Sequence, residues 1–123
     1  MPTIIKRSPR VLVENRHETY TSVSWFVRSN VWRPPTDVYE TEENFVVKME
    51  IASVRDEDLE VVIQDGLLLV NGARFDSNER RSYHQMEIRF GKFSVGIELP
   101  KGLNIESATA EYKDGFLTIQ FIK

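Results

Sequence analysis

The 123-residue chain has no cysteine. Disulfides, thiolate nucleophiles and cysteine-built zinc sites are therefore excluded. The absence fits a reducing compartment, and we expect a cytoplasmic protein. Only two histidines occur, His17 and His84, and neither stands in H-E-x-x-H or a comparable ligand spacing. With so few histidines, no cysteine and no G-x-S-x-G elbow, a catalytic triad has no material to be built from. Glycines are also few, and Gly91-Lys92-Phe93 and Gly102-Leu103 do not form a phosphate-cradling loop. We expect neither a metal nor a cofactor.

Positive charge is not in excess either. The net charge is −3, whereas nucleic-acid binding needs a basic stripe. "NERRS" at 78–82 sets two adjacent arginines beside a glutamate, so no nucleic-acid partner is expected. A polybasic membrane anchor is missing for the same reason. Long apolar runs are lacking. The opening "MPTIIKRSPRVLVENR" falls short of the about 7–15 apolar residues of a secretory signal core. Nowhere does the chain approach the about 18 consecutive apolar residues of a membrane helix. Carboxylates gather in "YETEEN" (39–44) and "RDEDLE" (55–60). Glycosidase chemistry would need two of them facing across a cleft, but acidic turns between strands are ordinarily solvated. Nothing in the sequence points to an enzyme.

What is present reads as β-structure. Arg33-Pro34-Pro35 marks a boundary, because two prolines fix φ and supply no N–H. It divides an N-terminal arm, residues 1–34, from a strand-rich unit, residues 35–123. In the second part "FVVKMEI" (45–51), "LEVVIQ" (59–64), "LLLVNG" (67–72), "MEIRFGKFSVGIEL" (86–99), "ATAEY" (108–112) and "FLTIQFI" (116–122) read as strands. Leu59, Val61 and Ile63 alternate with Glu60 and Gln64; Phe93, Val95, Ile97 and Leu99 alternate with Lys92, Ser94 and Glu98. Asp65-Gly66 and Asp114-Gly115 lie between apolar runs and predict tight hairpins with positive φ at both central residues. "VRDEDLEV" (54–61) predicts a short helical turn. "ARFDSNERRSYHQ" (73–85) is polar and long, and such a segment inside a small domain is usually functional or mobile. Within it "RSYHQMEI" is a candidate strand.

The arm is less regular. "RVLVEN" (10–15) reads as a short strand. In "SVSWFVRSNVW" (22–32), Val23, Phe26, Val27 and Val31 lie near one helical face. Trp25, Phe26, Val27, Val31 and Trp32 are candidates for contact with other proteins or subunits, or for a satellite core.

The strand region resembles the small heat-shock proteins, specifically their α-crystallin domain, over roughly 35–123. The resemblance rests on "PPTDVYETEENFVVKMEI", "VRDEDLEVVIQDGLLLVNGAR" and "GKFSVGIELPKGLNIESATAEYKDGFLTI". The last stretch holds the signature A-x-x-x-x-G-x-L, here Ala110, Gly115 and Leu117, after G-x-F…L-P at Gly91, Phe93, Leu99 and Pro100. The resemblance implies an all-β, immunoglobulin-like sandwich of seven or eight strands and a dimer as building unit. It implies a strand-exchange loop, here about 73–88, with Arg81, Ser82, Tyr83, His84, Gln85 and Met86 as the exchanged strand. It also implies ATP-independent holding of unfolding client proteins.

Three departures qualify it. The family's Leu-Pro-Gly after the first long strand is replaced by Ile51, Ala52 and Ser53, which predicts a less sharply bent loop. The arginine two residues after the G-x-F phenylalanine is replaced by Val95, so a dimer charge pair built on it is absent. The family's Ile-x-Ile tail docks between the fourth and eighth strands of a neighbour. It does not appear after "QFIK", so a dimer or small oligomer is expected. "SPRVLVE" (8–14) offers a substitute. Val11 and Val13 would enter a groove lined by Leu59, Val61, Ile63 and Ala110, in cis or on a neighbour; otherwise they form an ordinary short strand. A second functional class is a co-chaperone or scaffold sandwich that binds a larger chaperone. Such modules generally lack the exchange loop and the A-x-x-x-x-G-x-L ending.

Overall fold

A computed structural model describes residues 13–15 and 31–123. Among them eight strands follow in chain order: β1 (Val13–Asn15), β2 (Thr36–Glu40), β3 (Asn44–Glu50), β4 (Leu59–Gln64), β5 (Leu67–Arg74), β6 (Gly91–Glu98), β7 (Asn104–Lys113) and β8 (Phe116–Ile122). A single 3-10 turn, Asp56–Asp58, precedes β4 where the acidic run predicts helical structure. One sheet has the order β1-β4-β5-β6, the other β2-β3-β8-β7. Apart from the parallel pairing of β1 with β4, the seven longer strands are antiparallel within their sheets. The expected all-β sandwich is the fold.

Both Asp-Gly turns are as expected. Asp65 and Gly66 have φ of 51° and 77°, Asp114 and Gly115 of 53° and 84°. This is the twist a two-residue hairpin requires. The turns close on the pairs Gln64–Leu67 and Lys113–Phe116, so register on both sheets is set locally. Alternation then decides which side chains turn inward. Val61, Ile63, Leu68, Val70, Phe93, Val95, Met49, Leu117, Ile119 and Phe121 fill the space between the sheets. Val95 is fully buried there.

The approach of β5 to β6 depends on Gly72. A Cβ at that position would stand 2.5 Å from the Phe93 ring tip and 2.5 Å from the Asp58 carbonyl. The space a side chain would occupy is taken by the Phe93 ring. That ring in turn meets Trp32 edge-on, with centroids 5.5 Å apart and planes at 65°.

Several sequence expectations are corrected here. For Trp32, left open between contact with other proteins or subunits and a satellite core, the structure selects the core. Trp32 is 6% exposed, bridges to β6 through Trp32 N–H to the Lys92 carbonyl and Ser94 N–H to the Trp32 carbonyl, and donates Nε1–H to the Gly91 carbonyl at 3.1 Å. The strand read over 86–99 begins only at Gly91, whose φ is 100°. β5 ends at Arg74, so residues 86–90 have no strand beside them, and "RSYHQMEI" is not a strand within the single chain. Gln64, which alternates with the inward apolar residues, is nevertheless fully buried, and Val62, Leu69 and Leu67 form a second cluster. The Ile51-Ala52-Ser53 connection is sharply bent after all. Ser53 takes φ of 69°, a left-handed conformation that serine adopts at a cost. β2 was not foreseen as a separate strand; it pairs with β3 from Thr36–Met49 to Glu40–Phe45.

Candidate functional site

The unsatisfied surfaces of the sandwich are its strand edges. β2 hydrogen-bonds to β3 on one side, and among the described residues no strand pairs with its other side. An edge of this kind is a template for another chain. Its residues Asp37 to Glu40 are exposed, with Val38 and Tyr39 at 43% and 45%.

The second surface is the connection from Phe75 to Phe90, irregular throughout and exposed up to Arg89. Phe75, Tyr83, Met86 and Ile88 are 48–66% exposed. Of the large apolar side chains left exposed among the described residues, all but Phe116 and Ile122 lie on this loop or on β2. Apolar exposure is thus concentrated rather than scattered, which marks an interaction surface.

Within the loop, polar groups hold one turn in shape. Arg81 Nη1 donates to Asp76 Oδ2 at 3.0 Å and Arg81 Nε donates to Glu79 Oε1 at 3.0 Å. Arg81 also donates to the Tyr83 hydroxyl at 2.9 Å, and that hydroxyl donates to Asp76 at 3.3 Å. The Ser77 amide N–H, at 2.7 Å, is the largest influence holding the Asp76 carboxyl below the ordinary range; the Arg81 charge and the Tyr83 hydroxyl act the same way, against a contribution from burial that raises it. Arg81 is raised by Tyr83 and Glu79.

At the loop's base, Arg74 Nε and Nη2 donate to the Arg89 carbonyl at 3.0 and 2.6 Å, and Nη1 donates to the Ala52 carbonyl at 3.1 Å. Beside it lies an open pocket of about 480 Å³, lined among others by Trp32, Pro35, Arg74, Ile88 and Phe90.

The residues expected to line a groove are buried between the sheets. Leu59, Val61 and Ile63 of β4 and Ala110 of β7 belong to one buried cluster. The free side of β4 carries β1 in parallel, with Val13 opposite Val61 and Asn15 opposite Ile63. Val11, Trp25, Phe26 and Val27 lie outside the described residues; Val31 is half-buried. The signature residues divide by role. Phe93, Ala110 and Leu117 are core, Gly115 is in a turn, Gly91 opens β6, and Leu99 and Pro100 end it. Sequence reasoning missed Val38, Tyr39, Phe75, Ile88 and Arg74. The apolar alternation of Met86, Ile88 and Phe90 was visible, but it was read as the start of the 86–99 strand, with Met86 and Ile88 also in the candidate strand "RSYHQMEI". Among the described residues no His, Asp and Glu side chains gather into a group that could hold a metal ion, and no helix is long and apolar enough to cross a membrane.

A two-sheet antiparallel sandwich with an open β2 edge, a strand lying parallel on β4 and a long exposed loop between β5 and β6 defines the class of fold. The chain belongs to the Hsp20/alpha crystallin family, whose sequence model matches residues 37–123. It is 31% identical over 97 residues to small heat shock protein C4 of Rickettsia felis, covering 77% of this chain and 60% of that protein. With the 17.1 kDa class II heat shock protein of Pisum sativum it shares 34% over 88 residues, covering 69% and 58%. The chain therefore spans about three-fifths of the length of these relatives. Among solved structures it resembles hspA from Xanthomonas axonopodis, with TM-score 0.68, 26% identity, and coverage of 75% of this chain and 94% of that one. Heat shock protein 16.0 from Schizosaccharomyces pombe gives TM-score 0.66 at 27% identity, covering 75% and 87%.

Proposed function

We propose that this chain is an ATP-independent holdase of the cytoplasm, binding unfolding proteins through exposed apolar surface and so preventing their aggregation. The observation that carries this reading is the concentration of exposed apolar side chains on the 75–90 loop and the open β2 edge. An unfolding client exposes apolar surface and unpaired strands. Each square ångström of apolar surface removed from water contributes about 25 cal/mol, and an aromatic side chain can bury about 150–250 Å². Several such contacts give useful affinity without a specific sequence being read. No reactive group, metal or nucleotide enters this scheme, and the protein acts as a binder rather than an enzyme.

The same surfaces serve self-association. In the proposed dimer, residues Arg81 to Met86 of one chain pair with the β2 edge of a second copy, each exchanging its loop. Main-chain bonds would supply affinity, and the alternation of Ser82, His84 and Met86 with Tyr83 and Gln85 would sort the two faces. This reading accounts for a long exposed loop that forms no strand within one chain. Val11 and Val13 are proposed to occupy the β4 edge above the Leu59, Val61, Ile63 and Ala110 cluster. Trp25, Phe26 and Val27 are proposed to add client or subunit contacts.

The test is light scattering from a heat-unfolded client, without nucleotide, at several-fold excess of this protein. Suppression is expected. A doubly substituted Met86→Ser/Ile88→Ser protein should suppress less well while keeping its melting temperature, since both side chains are exposed. No suppression by the unaltered chain would remove the holdase reading.

A further inference from the structure

We infer that Arg74 is the positioning residue of the 75–90 loop. It holds the loop's two ends together and against the sandwich, so that the loop leaves in one direction and can reach a second copy of this chain. The inference rests on the proposed loop exchange and adds to it the residue that aims the loop.

Arg74 is the last residue of β5 and pairs with Gly91, the first of β6. The loop therefore leaves and returns at this one pair. Left to strand pairing alone, both ends would be free to fray beyond it. Arg74 prevents this with three N–H donors, all given to main-chain oxygens. Two reach the Arg89 carbonyl, at 3.0 and 2.6 Å, on the returning end of the loop. The third reaches the Ala52 carbonyl at 3.1 Å, in the connection after β3 on the other sheet. One planar group thus joins the outgoing end, the returning end and the second layer of the sandwich.

The guanidinium also lies over two aromatic rings. The guanidinium carbon is 4.7 Å from the Trp32 ring centre and 5.4 Å from that of Phe90. Trp32 is itself held to β6 by its Nε1–H bond to the Gly91 carbonyl and packs on Phe93. The neck is thereby tied to the core through an aromatic contact, and Phe90 is drawn in where the rest of the loop is exposed. A lysine could keep the charge. It could not fork to two carbonyls or stack its plane on a ring.

The arrangement does not hold the fold together. Arg74 touches the core only at Trp32; most of the core is formed by alternating apolar residues on β3 to β8. What Arg74 controls is where residues 75–89 begin and end. Loss of that control should loosen the contact with a second copy more than it lowers the stability of the sandwich.

Two labelled populations of the full chain, mixed and followed by energy transfer, give the rate of subunit exchange. Thermal melting of the same samples gives fold stability. Arg74→Lys should speed exchange about tenfold or more, the size of effect expected from losing one to two charge-assisted contacts, with little change in melting. Phe90→Leu removes one cation–ring contact, leaves the hydrogen bonds, and should give a smaller acceleration. Amide exchange at residues 87–90 should rise in Arg74→Lys and stay unchanged in the strands. Exchange and amide protection equal to those of the unaltered chain would overturn the inference, as would a melting temperature that falls in step with exchange in both variants. A chain with residues 77–86 replaced by a short Gly-Ser linker separates the two claims. If it still dimerises, loop exchange itself is wrong and the role of Arg74 falls with it. If it is monomeric while Arg74→Lys exchanges at the original rate, only the assignment of Arg74 fails.

Discussion

The Tyr112 hydroxyl donates to the Ile51 carbonyl across 2.7 Å and accepts the Val54 amide N–H at 3.2 Å. One phenol from β7 thus satisfies two main-chain groups in the turn that follows β3. A third bond, from Ile51 N–H to the Gly115 carbonyl at 2.9 Å, ties the same turn to the hairpin between β7 and β8. The signature hairpin of this chain is therefore also a clamp on an irregular connection 61 residues earlier, as the spacing of Tyr112 and Ile51 shows. Tyr112→Phe keeps the ring and leaves a part-buried N–H and C=O without their partner. Such a loss costs about 1–3 kcal/mol. Urea denaturation should show a lower midpoint with an unchanged slope.

Gly72→Ala should be among the most damaging single-methyl additions. Its Cβ would sit 2.5 Å from both the Phe93 ring and the Asp58 main-chain oxygen. The ring can tilt, but the carbonyl belongs to backbone. Overpacking of this kind costs about 1–3 kcal/mol. Combining it with Phe93→Leu should recover only part of the loss, because the clash with Asp58 remains and a cavity opens beneath Trp32. Calorimetry on the two single variants and the double variant checks this.

Ser53→Gly should stabilise. Ser53 has φ of 69° and its side chain is exposed, so glycine relieves strain without removing a buried contact. The left-handed conformation costs a non-glycine residue about 1–2 kcal/mol, and the added freedom of glycine when unfolded takes back about 0.4–1 kcal/mol. A net gain of about 0.5 kcal/mol is expected, visible as a rise of a few degrees in melting temperature.

The Asp76 turn should respond to acid and not to the physiological range. Its carboxyl is held below the ordinary aspartate value of about 3.9, first by the Ser77 amide and then by Arg81 and Tyr83. A depressed acid stabilises the ordered loop above its unfolded value, and the effect is lost as pH falls through the lower folded value. The loop should therefore be unchanged between about pH 5 and 8 and loosen only below about pH 4. Carboxyl-carbon NMR of Asp76 with the Tyr83 ring signals reads this directly. A midpoint at or above the ordinary value would mean the turn is not formed in solution.

Local chemistry was readable in the chain before any contact was known. Asp65-Gly66 and Asp114-Gly115 specify turns because their backbone preferences need no distant partner. Val61 and Ile63, or Leu117 and Ile119, specify an inner face because strand side chains alternate with a period of two. The length and polarity of 73–85 marked it as the segment to watch. Residues 86–90 were misread because alternation says that a segment suits a strand and not whether a strand lies beside it. Trp32 was left open between contact and core because an aromatic residue after an irregular arm looks the same in sequence whether it meets solvent or Phe93.

The amino-acid order by itself determined the class of fold, the two hairpins and the absence of material for thiol chemistry, since each depends on residue type and near neighbours. Tertiary structure decided the rest: that Phe93 requires a glycine at 72, that Trp32 is core, that exposed apolar groups collect on β2 and one loop, and that Arg74 joins Ala52 to Arg89. These are relations between groups far apart along the chain. Burial and hydrogen bonding are set by what stands opposite, and only the folded chain specifies that.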